Sequence, residues 1–427
     1  MRTGAIIWVG ILTVLCLLAA PVAHAQDASA DPSSAAKSSK KRFAIGVALP
    51  LSGEYAPVGK QVLESIELAA RDLGVRLVSK DTEGTPVGAI EAVRELAKDD
   101  EILAVLGPIG RRESRAAAQI AQREGIPLFS YASSDAVNRA GNWVYRLRLT
   151  PAEQARQLAD AVRTHLSDQK RVGILFPESN YGREAAVAFA TRFAALGGEV
   201  SAVASYPEKT TDFRKPLDEL VGKRVHLGKR ARYGKRRADG DGYAKIRRKA
   251  SVDFDLLFIP DFHGRISRLL PFLPQAGLQT GEGGKGTAVQ MLGLAGWQGS
   301  SMKLTGAHAA GAIYTDLFVG DADGGRSEDF ATMFEGKTGR RPVDLDAEVF
   351  DSAWMVAKLL QKAQKRHQAA ANKPSTAELR LFLANQLPRK PEFSGVSGDL
   401  GFGQQGAPVR PVKLYQFDVD GTVTPFR

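Results

Sequence analysis

FAIGVALPLSGEYAPVGKQVLESIELAARDLG, residues 43–74, is the stretch whose reading decides the fold. Its first nine residues, 43–51, form an apolar run without polar alternation, the mark of a strand buried on both faces. Ser52-Gly53 then breaks the run. Beyond it Val62, Ile66 and Ala69 fall at i, i+4 and i+7, one stripe of a helix. Strand, turn and helix in that order put the turn at the mouth of a sheet, where α/β proteins hold small molecules. The turn LSGEYAP is thus open to three readings: a catalytic loop, a phosphate cradle or a plain binding surface.

The same alternation recurs downstream. Strands are predicted at 75–81, 102–108, 126–132 and 143–150, with helices at about 59–73, 86–99 and 112–124. A second series begins at 171–178. It continues with a helix near 182–197, strands at 199–207 and 254–261, a helix near 264–273, and strands at 289–296 and 311–319. Two helical segments near 328–338 and 345–370 follow, and the tail GDLGFGQQGAPVRPVKLYQFDVDGTV reads as two strands joined by a turn. The fold class is therefore α/β, with two lobes of Rossmann type, each built on a parallel sheet. The expected division is 43–150 with 320–392 for the first lobe and 151–319 with 393–427 for the second.

The ends and the charge complete the organisation. Arg2, the apolar run IIWVGILTVLCLLAAPV and Ala23-His24-Ala25 have the layout of a cleavable signal peptide over 1–25. The predicted location is the periplasm. The single cysteine, Cys16, lies in that leader behind Leu15, where a lipoprotein needs a small residue, so the mature chain is expected to be soluble and free of thiol chemistry. Residues 26–42 read as a disordered linker rich in Ala, Ser and Lys. The formal net charge is +11, yet residues 223–249 alone hold twelve Lys/Arg and two Asp. With Arg2 set aside, the rest of the chain is neutral. The basic character belongs to one insertion, 222–250, expected to be a flexible surface loop, and not to a nucleic-acid-binding face. It either keeps the protein soluble or touches an anionic surface.

Catalytic motifs fail on inspection. GFGQQG at 401–406 has the spacing of a dinucleotide fingerprint, but Pro408 and Pro411 forbid the helix that must follow. Gly336-Lys337-Thr338 lacks the upstream strand and glycine of a phosphate-binding loop. No two of the six histidines form the H-E-x-x-H pair of a zinc protease, and no post-strand loop carries G-x-S-x-G. No cofactor and no metal is expected. The post-strand loops LSGEYAP, DTEGTP, GPIGRRES, SYASSD, PESNYG, PDFHGR and GLAGWQGS are instead rich in Ser, Gly, Tyr and Asn. That is hydrogen-bonding chemistry, suited to recognition. Ser52, Ser114, Ser133 and Ser134 stand at or near helix N-termini, where hydroxyls and free N–H groups either cap the helix or receive an anion. Tyr55 shares the first of these loops. Arg111 and Arg112 are either solvated or reach an anionic ligand. Tyr181 can stack and hydrogen-bond at once. Trp297, beside Gln298, is either a core plug or a cleft wall.

FAIGVALPLSGEYAPVG, DTEGTPVGAIEAVRELAKDDEILAVLGPIGRRES, EGIPLFSYASSD, RVGILFPESNYGRE and PVDLDAEVFDSAWMVAKLL together resemble type 1 periplasmic binding proteins of the branched-chain amino-acid receptor kind. The resemblance covers nearly the whole chain after residue 42, apart from the basic insertion. It implies two lobes hinged by three crossing strands, a small amino-acid-like or polar ligand held between them, and an inner-membrane ABC permease as partner. On this resemblance the ligand meets Arg111 to Ser114, the pair Ser133 and Ser134, and Tyr181. Receptors for amino acids also place an acidic residue in the loop after the second lobe's third strand. That loop is read here as GLAGWQGS, with Trp297 and Gln298, a departure that argues against α-amino-acid recognition. FDLLFIPDFHGRISRLLPFL with GLAGWQGS also resembles the penicillin-binding-protein activators, envelope regulators on the same fold, which implies a peptidoglycan synthase as the alternative partner.

Overall fold

Ile45, Val47 and Leu49 of the first strand enter one apolar core, while Ala44 and Ala48 enter another on the opposite face of the sheet. A strand with no polar face must be covered on both sides, and that requirement sets the architecture. In the computed structural model the described residues are 42–222, 224–226, 247–249, 251–279, 286–303, 305 and 308–426. The expected leader and all of the tether except Arg42 lie outside them.

The first lobe is a five-stranded sheet made of β1 (Ala44–Leu49), β2 (Arg76–Asp81), β3 (Ile102–Leu106), β4 (Leu128–Ser130) and β5 (Val144–Arg146). Its order is β2-β1-β3-β4-β5 and every pair is parallel. Helices α1 (Ala56–Asp72), α2 (Pro86–Lys98) and α3 (Arg111–Glu124) make the crossovers. The chain then crosses at 147–150 into the second lobe, which opens with α4 (Pro151–His165). There follow β6 (Arg171–Pro177), α5 (Asn180–Ala195), β7 (Glu199–Tyr206), α6 (Arg214–Leu220), β8 (Leu256–Phe258), α7 (His263–Leu269), β9 (Gln290–Gly293) and β10 (Ile313–Asp316). Leu257, Met291 and Tyr314 face one core; Leu256, Phe258, Leu292 and Ile313 face the other.

A second crossing at 317–319 returns the chain to the first lobe, where α8 (Gly325–Thr338), α9 (Asp344–Ala369) and α10 (Thr376–Asn385) complete the packing. The tail was expected to hold two strands and to belong to the second lobe from residue 393. From Gly398 it holds four instead, β12 (Gly398–Phe402), β13 (Pro408–Val409), β14 (Lys413–Phe417) and β15 (Val423–Pro425), and β11 (Phe393–Gly395) precedes them. Leu400 and Phe402 are fully buried in the first lobe's core, so only the chain beyond the third crossing, 403–412, joins the second sheet. That seven-stranded sheet has the order β15-β14-β10-β9-β8-β6-β7, antiparallel only at β14 and β15.

At the basic insertion, 224–226 pairs with 247–249 as an antiparallel two-stranded ladder. The span between them lies outside the described residues. Among the described residues α4, α6 and α10 went unread in the sequence, as did the single turns Ser300–Lys303 and Gly320–Asp323.

Candidate functional site

The helix N-termini of both lobes are fixed at the carboxyl ends of the strands by caps. Glu113 Oε1 accepts from Gly110 N at 2.9 Å at the start of α3, and its Oε2 accepts from buried Thr82 Oγ1 at 2.6 Å. Thr150 and Glu153 form a reciprocal capping box on α4. Glu153 is held in turn by Arg146, a strand arginine only 1% exposed, through bonds of 2.8 and 2.6 Å. Burial opposes the charge of Glu153, but the Arg146 bonds and field outweigh it and its pKa falls below the ordinary carboxylate value. Ser179 caps α5, accepting from Gly182 N at 3.0 Å, which sets Tyr181 on the first turn. A Cβ at Gly182 would lie 2.3 Å from the Pro177 carbonyl oxygen, so only glycine lets α5 approach the end of β6 this closely.

The predicted residues divide into groups. Ser114 is fully buried on the first turn of α3, and its Oγ has no hydrogen-bond partner. Ser134 is buried and Ser133 half-buried in the loop after β4. Arg111, the first residue of α3, reaches across the cleft to Glu184 of α5 at 3.3 Å. Arg112 is exposed. Tyr181 packs on Phe262, from the loop after β8, with ring centroids 4.7 Å apart. Burial pushes its phenol well above the ordinary value, with Asp261 adding to the rise and Arg148 opposing it. Ser52 and Tyr55 go elsewhere. Ser52 N donates to Asp81 Oδ1, and the Tyr55 ring lies over Gly84, which ties both to the loop after β2. Gln298 lines a cavity of about 850 Å³ between the second-lobe loops and the start of α9, together with His263, Val343, Asp344 and Phe417. Trp297 is a core plug and no cleft wall: it is fully buried, and its Nε1 donates to the Ile259 carbonyl at 2.9 Å.

Strand order corrects one assignment. GLAGWQGS follows β9, the fourth strand of the second sheet by sequence. The loop after the third, β8, is IPDF, and it contains Asp261. This carboxylate is fully buried. Its Oδ1 accepts from Phe262 N and Arg265 Nη2, both at 2.7 Å; its Oδ2 accepts from Tyr206 Oη at 2.6 Å and Arg265 Nε at 2.7 Å. Those bonds raise the pKa of Arg265 against the opposing pull of burial. The signal missed in the sequence was Asp261-x-x-x-Arg265, an i,i+4 acid–base pair at a helix start.

Where the crossings meet, Arg148 binds Asp344 at 3.0 Å and Glu348 at 3.1 Å, and Arg410 binds Glu348 at 3.1 Å. Arg148, Gln154, Asp316, Asp344 and Glu348 line a cavity of about 10 Å³. Sequence reading passed over all of these residues. Among the described residues no group of three or more His, Cys, Asp or Glu side chains is placed to hold a metal ion, and no helix is long and apolar enough to cross a membrane.

The rim can therefore hold a small molecule by hydroxyl, amide and aromatic contacts. Comparison with known proteins bears on the fold and the family. The periplasmic binding protein family model matches residues 43–228 and 252–422. Among curated proteins none matches the chain. An ABC transporter substrate-binding protein from Sphaerobacter thermophilus superposes with a TM-score of 0.68 at 20% identity, covering 90% of this chain and 96% of that one. One from Desulfitobacterium hafniense, in complex with Leu, gives 0.63 at 21%, covering 90% and 100%. A solute-binding protein of an ABC transporter from R. palustris, in complex with benzoate, gives 0.61 at 17%, covering 90% and 95%. Two α/β lobes, three crossings and a family match over most of the sequence lead to one conclusion: this chain belongs to the periplasmic binding protein family.

Proposed function

We propose that the protein is an exported solute-binding component of an ABC-type uptake system, and that its ligand is a small organic acid without an α-ammonium group. The observation that carries the ligand class is Asp261. Each of its oxygens already accepts two hydrogen bonds, and Arg265 supplies its counter-charge. A ligand ammonium at that carboxylate would have to displace a bidentate arginine, leaving a partly buried guanidinium without its carboxylate. An acid needs no such exchange. The unpartnered Ser114 hydroxyl and the α3 N-terminus favour a carboxylate on the first-lobe rim. The Tyr181–Phe262 pair offers an apolar, aromatic surface opposite. Relatives of this fold bind both leucine and benzoate, so the fold allows either class.

Ligand contacts made only when both rims meet favour the closed form, which a membrane permease would read. The test is titration calorimetry with a panel of aliphatic and aromatic carboxylates and amino acids. Heat with one or more carboxylates supports the reading. Silence across the whole panel counts against it.

A further inference from the structure

The chain passes between the lobes three times, and a buried acid stands where the passages meet. Asp316 ends β10 and is 1% exposed. Its Oδ1 accepts from Leu317 N at 2.6 Å and Phe318 N at 3.4 Å. Its Oδ2 is buried without any hydrogen-bond partner, and so is Oε1 of Gln154 on α4. Both residues line the cavity of about 10 Å³, roughly the room one water needs.

The charged neighbours leave Oδ2 without a hydrogen bond, although the Arg148 charge attracts Asp316. Arg148, from the first crossing, gives its bonds to Asp344 and Glu348 of α9. Arg410, from the third, gives its own to Glu348 and Ser397. Lys413 stands opposite Asp316 in the β10–β14 ladder, yet Oδ2 receives no hydrogen bond from it. Tyr181, on α5, is a neutral phenol whose charged form Asp316 opposes. Asp344 and Glu348 are like charges. Two buried acceptor oxygens on one small cavity are each unsatisfied, and a single proton satisfies both: bound to Asp316 Oδ2, it is donated to Gln154 Oε1, directly or through one water.

We propose that Asp316 is a protonated hinge acid, shared with Gln154, and that closing the lobes takes up one proton. Opening draws the crossings apart and admits water, where the carboxyl ionises and releases it. Burial first, and the Asp344 charge second, push the Asp316 pKa well above the ordinary carboxylate value, which agrees with this geometry. The inference stands apart from the ligand class.

Carbon-13 NMR of the full mature protein, with the Asp316 carboxyl assigned through its own Cβ, tests it without a variant. At pH 7 that carboxyl is expected to be protonated. Small-angle scattering of the unliganded protein between about pH 5 and about pH 9 reads the second half. The radius of gyration should grow as Asp316 titrates, and the growth should be absent in Asp316→Asn, whose amide keeps a donor toward Gln154. An ionised Asp316 at pH 7, as when Gln154 turns its amide toward Oδ2, overturns the proposal. So does a radius that stays flat while the acid titrates, or one that changes equally in the variant.

Discussion

Asp261 and Asp316 stand at the carboxyl ends of β8 and β10, the two strands that flank β9 in the second sheet. Both are buried almost completely. Asp261 meets Arg265, Tyr206 and a backbone N–H, so each of its oxygens accepts two hydrogen bonds. Asp316 has two N–H groups on one oxygen, nothing on the other, and two further carboxylates nearby. One residue type at equivalent sheet positions thus serves two purposes. The first closes off a subsite with the protein's own cation; the second leaves a place for a proton. Desolvation is common to both, and the partners decide the outcome.

The sharpest way to break the contrast is to remove each acid. Asp261→Ala strands Arg265 and Tyr206, and we expect a loss of roughly 3–5 kcal/mol in chemical denaturation. Asp316→Asn should cost far less at neutral pH, because it replaces an acid that is already neutral. Its benefit grows with pH. A raised folded-state pKa means that the native state holds the proton longer than the unfolded chain. Wild-type stability therefore falls as pH rises above the unfolded value of about 3.9, until the folded pKa is passed. The variant lacks that fall. Equal losses for both substitutions at pH 7 would erase the distinction.

A smaller effect is expected at Arg148. Arg148→Met removes the cation on Asp344 and one of two on Glu348. A loss of roughly 1–3 kcal/mol should follow. The extra negative charge should also move the Asp316 titration to higher pH, which NMR can read. A shift to lower pH would mean that Arg148 does not act on this cluster. Least of all, Arg111→Ala removes an exposed interlobe pair with Glu184 and should change the melting free energy by no more than about 1 kcal/mol. A larger change would make that pair a structural latch.

Much of the fold was legible because its strands are buried on both faces and its long helices are amphipathic. The stretch 43–74 became β1 and α1 as read, and 344–369 became one helix. The missed helices are instructive. α4 and α10 each begin with a capping box, Thr150 with Glu153 and Ser375 with Glu378, and α4 also carries Ala155, Leu158, Ala159 and Val162 at helical spacing. Capping chemistry was an available signal in both. The tail was misplaced because a short apolar segment does not say which core it will join; Leu400 and Phe402 joined the first.

The site was legible only in part. Ser114 and Tyr181 were found because small hydroxyls and a tyrosine after strands suggest recognition. Arg148, Asp261, Asp316 and Glu348 were not, since each matters through partners remote in sequence, as Arg410 is from Glu348. Asp261 was further hidden by a miscounted strand: the loop GLAGWQGS follows the fourth strand of the second series, not the third.

The most direct test offers the protein matched molecules that differ at one position. In calorimetry, a 2-oxo or 2-hydroxy acid and the α-amino acid with the same side chain report on the Asp261–Arg265 pair alone. The account predicts that an acid lacking the amine binds, and that its amino counterpart binds at least tenfold more weakly. Tight binding of the amino acid, with the amine-free acid silent, would show that Arg265 yields its carboxylate and would contradict the account.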